Sequence, residues 1–298
     1  MRVKPAGWRV YRLALLLAAV LAVGQERAVG DLFFWRASGS ANHVYLLGSI
    51  HVGERDMYPL DPLIESTFAR VPNLVVEVDL AAEAENMAAL VMRHGFYPAG
   101  QSLKSDLPPG IYARALARGR LLGLPAASVL QMRPWLLALT IGVLDASAAG
   151  FEPAIGVDAY LIGRSAGKRI IALESADYQI GLFSSLPVTL QARLLKETLA
   201  ADADLGSLAS LLELWRAGDA EQLTAVMHGA LDHGDGAELY EQIFVQRNRQ
   251  MARAIGELLD QSQDYFVVVG VGHFLGPQNV LELLAAENIF AVRLPAAR

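Results

Sequence analysis

Two apolar runs that each stop at a Gly-x-x-His step constrain this chain more than any other feature. Tyr45-Leu-Leu-Gly48-Ser-Ile-His51 lies near the start, and Tyr265-Phe-Val-Val-Val-Gly270-Val-Gly-His273 lies near the end. Both runs are short, apolar and rich in β-branched residues, the pattern of a buried strand. Glycine at a strand end lets the backbone turn sharply or approach a ligand. Open α/β sheets build their sites past the carboxyl ends of their strands, so both histidines fall where such a site would stand. One Gly-x-x-His match is weak, because a histidine capping a turn also satisfies it. Two matches at two strand ends predict convergence on one metal ion or one substrate.

The remaining strand patterns lie towards the two ends of the chain. Residues 32–36 and 43–47 flank a polar loop and predict a hairpin. Residues 74–80, 169–173, 265–269 and 289–294 supply further strands. Helical patterns fill residues 81–147, broken at 95–100 and at Pro108-Pro109, then 156–166. They continue over 187–259, with breaks near Gly206, Gly218 and residues 234–236. Each end reads strand, Gly-x-x-His, proline-initiated helix, strand, which hints at an internal duplication. The expected fold is therefore α/β (α+β), a central mixed sheet from two βαβ-like halves with a large helical insertion.

Arg2, Lys4, Arg9 and Arg12 precede the apolar run 13–23, and small residues follow near 24 and 30. This is the pattern of a Sec-type signal peptide over residues 1–30, cleaved near 24 or 30. The run is short for a membrane span. Residues 31–298 are expected to form a single domain, periplasmic or secreted, with no stable membrane span after signal cleavage. The chain has no cysteine, which excludes disulfides, thiolate ligands and a lipid-modified cysteine. A net charge of −6 with scattered basic residues gives no nucleic-acid footprint.

Glu77 interrupts an otherwise apolar strand pattern. A buried carboxylate is normally paired or bound to metal, unless the strand end is open to water. Asp79 shares its face by the strand period of two. Glu174 ends the run 170–173 in the same manner. Asp158 faces inward by its helical spacing from Ile155 and Ile162, or is simply an acid in a first helical turn. Arg247 falls within the apolar stripe Tyr240, Ile243, Phe244, Met251 and Ile255, with Asn248 beside it. A guanidinium there needs Glu77, Glu174, or a substrate carboxylate or oxyanion as partner. His43, His94, His228 and His233 read as surface or capping residues. Neither Gly-x-Ser-x-Gly nor His-Glu-x-x-His occurs, which removes the serine elbow and the zincin helix.

Taken in order, the blocks 45–53, 57–60, 74–79, 156–160, 167–174, 247–251 and 269–277 resemble the successive motifs of the TraB/PrgY/GumN family. That family is similar to the TIKI proteins, metal-dependent peptidases built on two Gly-x-x-His motifs and a glutamate. The resemblance implies a divalent-metal site of His51, Glu77 and His273, with Mn²⁺ or Co²⁺ preferred over Zn²⁺. It implies a metal-dependent hydrolase, a peptidase acting on exported peptides. Glu174, or Glu77 if it is not a ligand, would accept a proton, while Arg247 and Asn248 would hold an oxyanion or a substrate carboxylate. The alternative is a protein that sequesters a peptide or a haem-like ligand without turnover, or a helper domain with a vestigial site.

Overall fold

A computed structural model describes residues 31–200, 205–228 and 236–296. The expected signal peptide over residues 1–30, His233 and the glycine joint at 234–235 lie outside the described residues. Six strands form one sheet: β1 (Asp31–Ser38), β2 (His43–Ser49), β3 (Asn73–Val76), β4 (Arg169–Ala172), β5 (Tyr265–Gly270) and β6 (Val292–Pro295). Their spatial order is β4-β3-β5-β2-β1-β6. Strands β2, β3, β4 and β5 run parallel, while β1 is antiparallel to both β2 and β6. The fold is α/β with a mixed sheet, as the strand and helix patterns predict.

Parallel strands covered on both faces must be apolar throughout, and all six residues of β5 are buried. Alternate residues of the strands feed two cores. Leu46, Val267 and Val269 pack with Ile255 and Leu259 on one face. Leu47, Phe266 and Val268 pack with Ile64, Phe68 and Leu161 on the other. Burying a side chain such as Phe266 is worth about 1.5–3 kcal/mol. The helices that matter for the site are α1 (Pro62–Arg70), α2 (Val157–Gly163), α3 (Ala176–Ser184), α4 (Leu205–Ala217), α5 (Ala220–His228), α6 (Gln246–Leu259) and α7 (Val280–Ala286). Asp61 starts α1 by accepting the Leu63 N–H at 2.8 Å, and Pro62 fits the first position because its missing N–H would be unpaired there anyway.

Two expectations change in detail. The helical pattern of 81–147 breaks twice more, at Gly123, whose φ of +79° suits glycine, and at Met132-Arg133 before Pro134. The acidic strand is shorter than its pattern: β3 stops at Val76, paired to Ala172 and Val268. Asp79 therefore leaves the sheet, and its carboxylate accepts the Ala81 and Ala82 N–H groups at 3.2 and 3.1 Å. The two similar halves share one sheet and interleave within it. The unit β2–α1–β3 straddles β5, so the Gly-x-x-His strands of the two halves become neighbours.

Candidate functional site

In the β2–β5 ladder Gly48 stands opposite Val269 and Ser49 opposite Gly270. Both Gly-x-x-His segments thus leave the sheet at one edge, from adjacent parallel strands. On the other side of β5, Glu77 follows β3 at the same edge, and Glu174 follows β4 two residues past Ala172. Four chemically capable side chains far apart in sequence meet because of strand order alone.

The first loop is pinned from outside the sheet. The Val157 N–H donates to the Ile50 carbonyl at 2.9 Å. A Cβ on Gly156 would stand 2.5 Å from the His51 carbonyl, so only glycine lets the start of α2 come this close. That approach carries Asp158, in the first turn of α2, to the His51 ring. Asp158 Oδ2 lies 2.8 Å from His51 Nδ1, and Asp158 Oδ1 accepts the Ser49 hydroxyl at 2.8 Å. Trp215 of α4 secures the strand end by donating its indole N–H to the Gly48 carbonyl at 2.8 Å.

The second loop is held from inside. Residues Val271–Phe274 form a 3₁₀ turn, which buries His273 against α6. Asn248 donates its amide to the Gln278 carbonyl at 2.9 Å, which turns Asn248 Oδ1 towards His273 Nδ1 at 2.6 Å. An amide oxygen only accepts, so His273 carries its proton on Nδ1 and presents a lone pair at Nε2. The carboxylate of Asp158 imposes the same arrangement on His51 when that ring is neutral. Both Nε2 atoms lie 3.9 Å from one oxygen, Glu77 Oε1.

Glu77 Oε1 also accepts the Gly270 N–H at 2.6 Å. A Cβ on Gly270 would meet His51 Nε2 at 2.9 Å and Glu77 Oε1 at 3.2 Å, so this glycine keeps the space between them open. Arg247 engages Glu174 through Nε and Nη2, both at 2.8 Å, and reaches Glu77 Oε2 at 2.5 Å. Gln179 of α3 donates to Glu174 Oε2 at 2.9 Å and to Glu77 Oε2 at 3.3 Å. A π-helical turn, Glu241–Val245, precedes Arg247, and such wide turns recur at functional sites.

The charges follow from these contacts. Burial works against ionised Glu77, but protonated His51, Arg247 and the Gly270 N–H outweigh it and hold the carboxyl below its usual range, with His273 adding to this only where its ring is protonated. Burial pushes His273 down to about 3, so its ring is neutral. Asp158 pushes His51 up to about 9. The rings also differ in access: the His51 side chain is 63% exposed and that of His273 only 4%.

The six residues to which the sequence assigns a role, His51, Glu77, Glu174, Arg247, Asn248 and His273, meet here, while Asp79 does not, and the contacts of some differ from the roles expected of them. Glu174 has both oxygens engaged by Arg247 and Gln179. Arg247 spends its guanidinium on two carboxylates, and Asn248 spends its amide on His273 and Gln278. Gln179 carried no sequence signal beyond lying five residues after Glu174. Asp158 had only its inward spacing. His228 is not a surface residue: it is fully buried and packs on Tyr240 and Phe244, with ring centroids 5.2 and 4.7 Å away. Among the described residues no group of three or more His, Cys, Asp or Glu side chains is set to hold a metal ion as it stands. The 3.9 Å steps are wider than the roughly 3.4 Å between donors arranged tetrahedrally at ordinary Zn–N distances. Above the site lies a cavity of about 550 Å³, within the range of ligand pockets.

Comparison with known proteins gives the site a context. The profile of the TraB/PrgY/gumN family matches residues 33–291. A metalloprotease TIKI homolog of Amphimedon queenslandica is 25% identical over 326 residues, covering 90% of this chain and 62% of its own length. This chain thus spans less than two thirds of that relative. Uncharacterized protein YbaP of Escherichia coli (strain K12) is 26% identical over 285 residues, covering 92% of this chain and 98% of its own. An uncharacterized protein of Treponema pallidum (strain Nichols) is 22% identical over 276 residues, covering 87% and 82%. No solved structure matches.

Proposed function

This chain belongs to the TraB/PrgY/gumN family, and from that premise we propose that it is an exported divalent-metal-dependent hydrolase, a peptidase in class. One observation carries the reading. Two imidazoles from two Gly-x-x-His motifs turn Nε2 towards the same oxygen of Glu77, each with its Nδ1 held by an acceptor, so that His273, and His51 once deprotonated, would offer Nε2 lone pairs at one place. Histidines that bind metal typically donate their other ring N–H in this way. The donor chemistry of His51, His273 and Glu77 fits a divalent ion, and the family resemblance favours Mn²⁺ or Co²⁺ over Zn²⁺, although the spacing does not close on an ion. Such an ion lowers the pKa of water and polarises a carbonyl.

The chain's own residues supply the rest. Asp158 and Asn248 fix the tautomer and direction of the two rings. Arg247 keeps Glu77 ionised and turned towards them, and Glu174 and Gln179 hold Arg247 and Glu77 in that pose. Glu174, Arg247 and Asn248 are positioning residues in this scheme, one layer behind the reacting atoms. A peptide carbonyl in the cavity would be attacked by water and its C–N bond broken. The likeness to a protein named a metalloprotease supports the peptidase class, and the basic, then apolar, N-terminus supports export.

The test is peptide hydrolysis by the full chain, first stripped with chelator and then supplied with Mn²⁺, Co²⁺ or Zn²⁺. Metal-dependent release of new amino termini, lost in both His51→Ala and His273→Ala, is expected. Cleavage that survives chelation and both substitutions would overturn the mechanism. Peptide binding without cleavage under any ion would favour sequestration instead.

A further inference from the structure

The cavity above the two histidines has two unlike surfaces. Its floor is polar, but each charged group there is engaged within the protein: Arg247 with Glu77 and Glu174, and Asp158 with His51 and Ser49. Its walls are apolar, and five of the side chains that form them come from three separate segments. Leu182 and Phe183 project from α3, Met227 from α5, and Ile243 and Phe244 from the π-helical turn. All five are only partly buried, and all line this one cavity. Large apolar side chains left partly in water around one concavity mark a ligand surface.

These walls reach the reacting region itself. The Phe244 ring lies 5.5 Å from the His273 ring. A Cβ on Gly272 would meet Phe244 at 2.9 Å and Met227 at 3.1 Å, so both side chains press against the turn that carries His273. On the far wall, Phe183 stacks on the fully buried Trp135 at 6.2 Å and 16°, which makes it a supported surface. We infer that Phe183, Met227 and Phe244 are specificity-determining residues, and that the group they select is a large apolar side chain next to the reacting carbonyl. The inference rests on the hydrolase reading for its carbonyl, but the apolar selection stands on the walls alone.

A set of capped tetrapeptides, acetyl-Ala-Ala-X-Ala-amide with X = Phe, Leu, Ala, Lys or Glu, separates the two. Binding to the full chain is measured by calorimetry, and cleavage by mass spectrometry with Mn²⁺ or Co²⁺ present. The Phe and Leu peptides are expected to bind about tenfold or more tightly than the other three, the effect of burying one such side chain. Phe183→Ala and Met227→Lys should each erase most of that preference. Lys or Glu peptides that bind as well as Phe, a preference untouched by both substitutions, or no binding by any peptide would overturn the inference. Preference without cleavage keeps this inference and removes the hydrolase; cleavage without preference does the reverse.

Discussion

The two Gly-x-x-His loops begin as near copies and end in opposite surroundings. Both leave adjacent parallel strands at one sheet edge, and both turn Nε2 towards Glu77 Oε1. His273 is sealed into the protein, held by the neutral amide of Asn248, and is linked to Arg247 through Glu77. His51 stands at the mouth of the cavity, held by a carboxylate. Identical local motifs can therefore specify a backbone turn without specifying the environment of its side chain. Environment comes from whichever element packs against the turn, α6 for one loop and α2 for the other. The consequence is that damage to the inner half should cost more stability than damage to the outer half, whose main cost is function.

Arg247→Met should show the largest effect. It leaves two buried carboxylates facing each other without their cation, a loss of about 3–5 kcal/mol by urea unfolding. A loss below about 1 kcal/mol would mean that the inner network is not what holds this half together. Asn248→Leu comes next, because it strands the buried His273 N–H and should cost about 1–3 kcal/mol. The matching change at the other loop, Asp158→Asn, is also at a buried position, but it keeps an amide oxygen to accept from Ser49 or the exposed His51 ring and should cost less, about 0.5–1.5 kcal/mol. Equal losses from the two would erase the distinction between the loops.

The smallest effect is one of pH. The ring of His51 is held at about 9, above its value of about 6.5 in the unfolded chain. Its pairing with Asp158 therefore helps fully below pH 6.5 and is lost as pH rises through about 9. Because the ring is largely exposed, the energy involved is small, so the observable is the titration itself. In the metal-free protein, NMR should place the His51 midpoint well above 6.5, and Asp158→Asn should bring it down by at least about one unit. His273 should stay neutral through the same range. A His51 midpoint at the ordinary value would remove Asp158 as its partner.

Much of this arrangement is legible in the sequence because strand patterns announce both their ends and their burial. The runs before Gly48 and Gly270 mark two strands, Glu77 stands out as a charge in apolar surroundings, and Arg247 stands out on an apolar stripe. What no local pattern holds is which strand lies beside which. That β5 inserts between β2 and β3 is a long-range packing outcome, and it alone makes His51, Glu77 and His273 neighbours. The strand period of two runs on through Asp79 in the sequence, yet pairing stops at Val76 and the chain turns away. Gln179 is invisible in advance because it is one polar residue on a short helix, and its importance arises only from two carboxylates brought from elsewhere. His228 looked unremarkable because the aromatic residues that enclose it, Tyr240 and Phe244, come from a different helix and from a π-helical turn.

The most direct measurement is calorimetric titration of the chelated full chain with Mn²⁺, Co²⁺ and Zn²⁺, repeated for His51→Ala and His273→Ala, each variant first checked by unfolding. Convergence of the two motifs predicts one ion bound per chain, lost in either single variant although the fold persists in His51→Ala. Ion binding that survives either substitution, or two independent ions per chain, or none with any metal, would contradict a shared site.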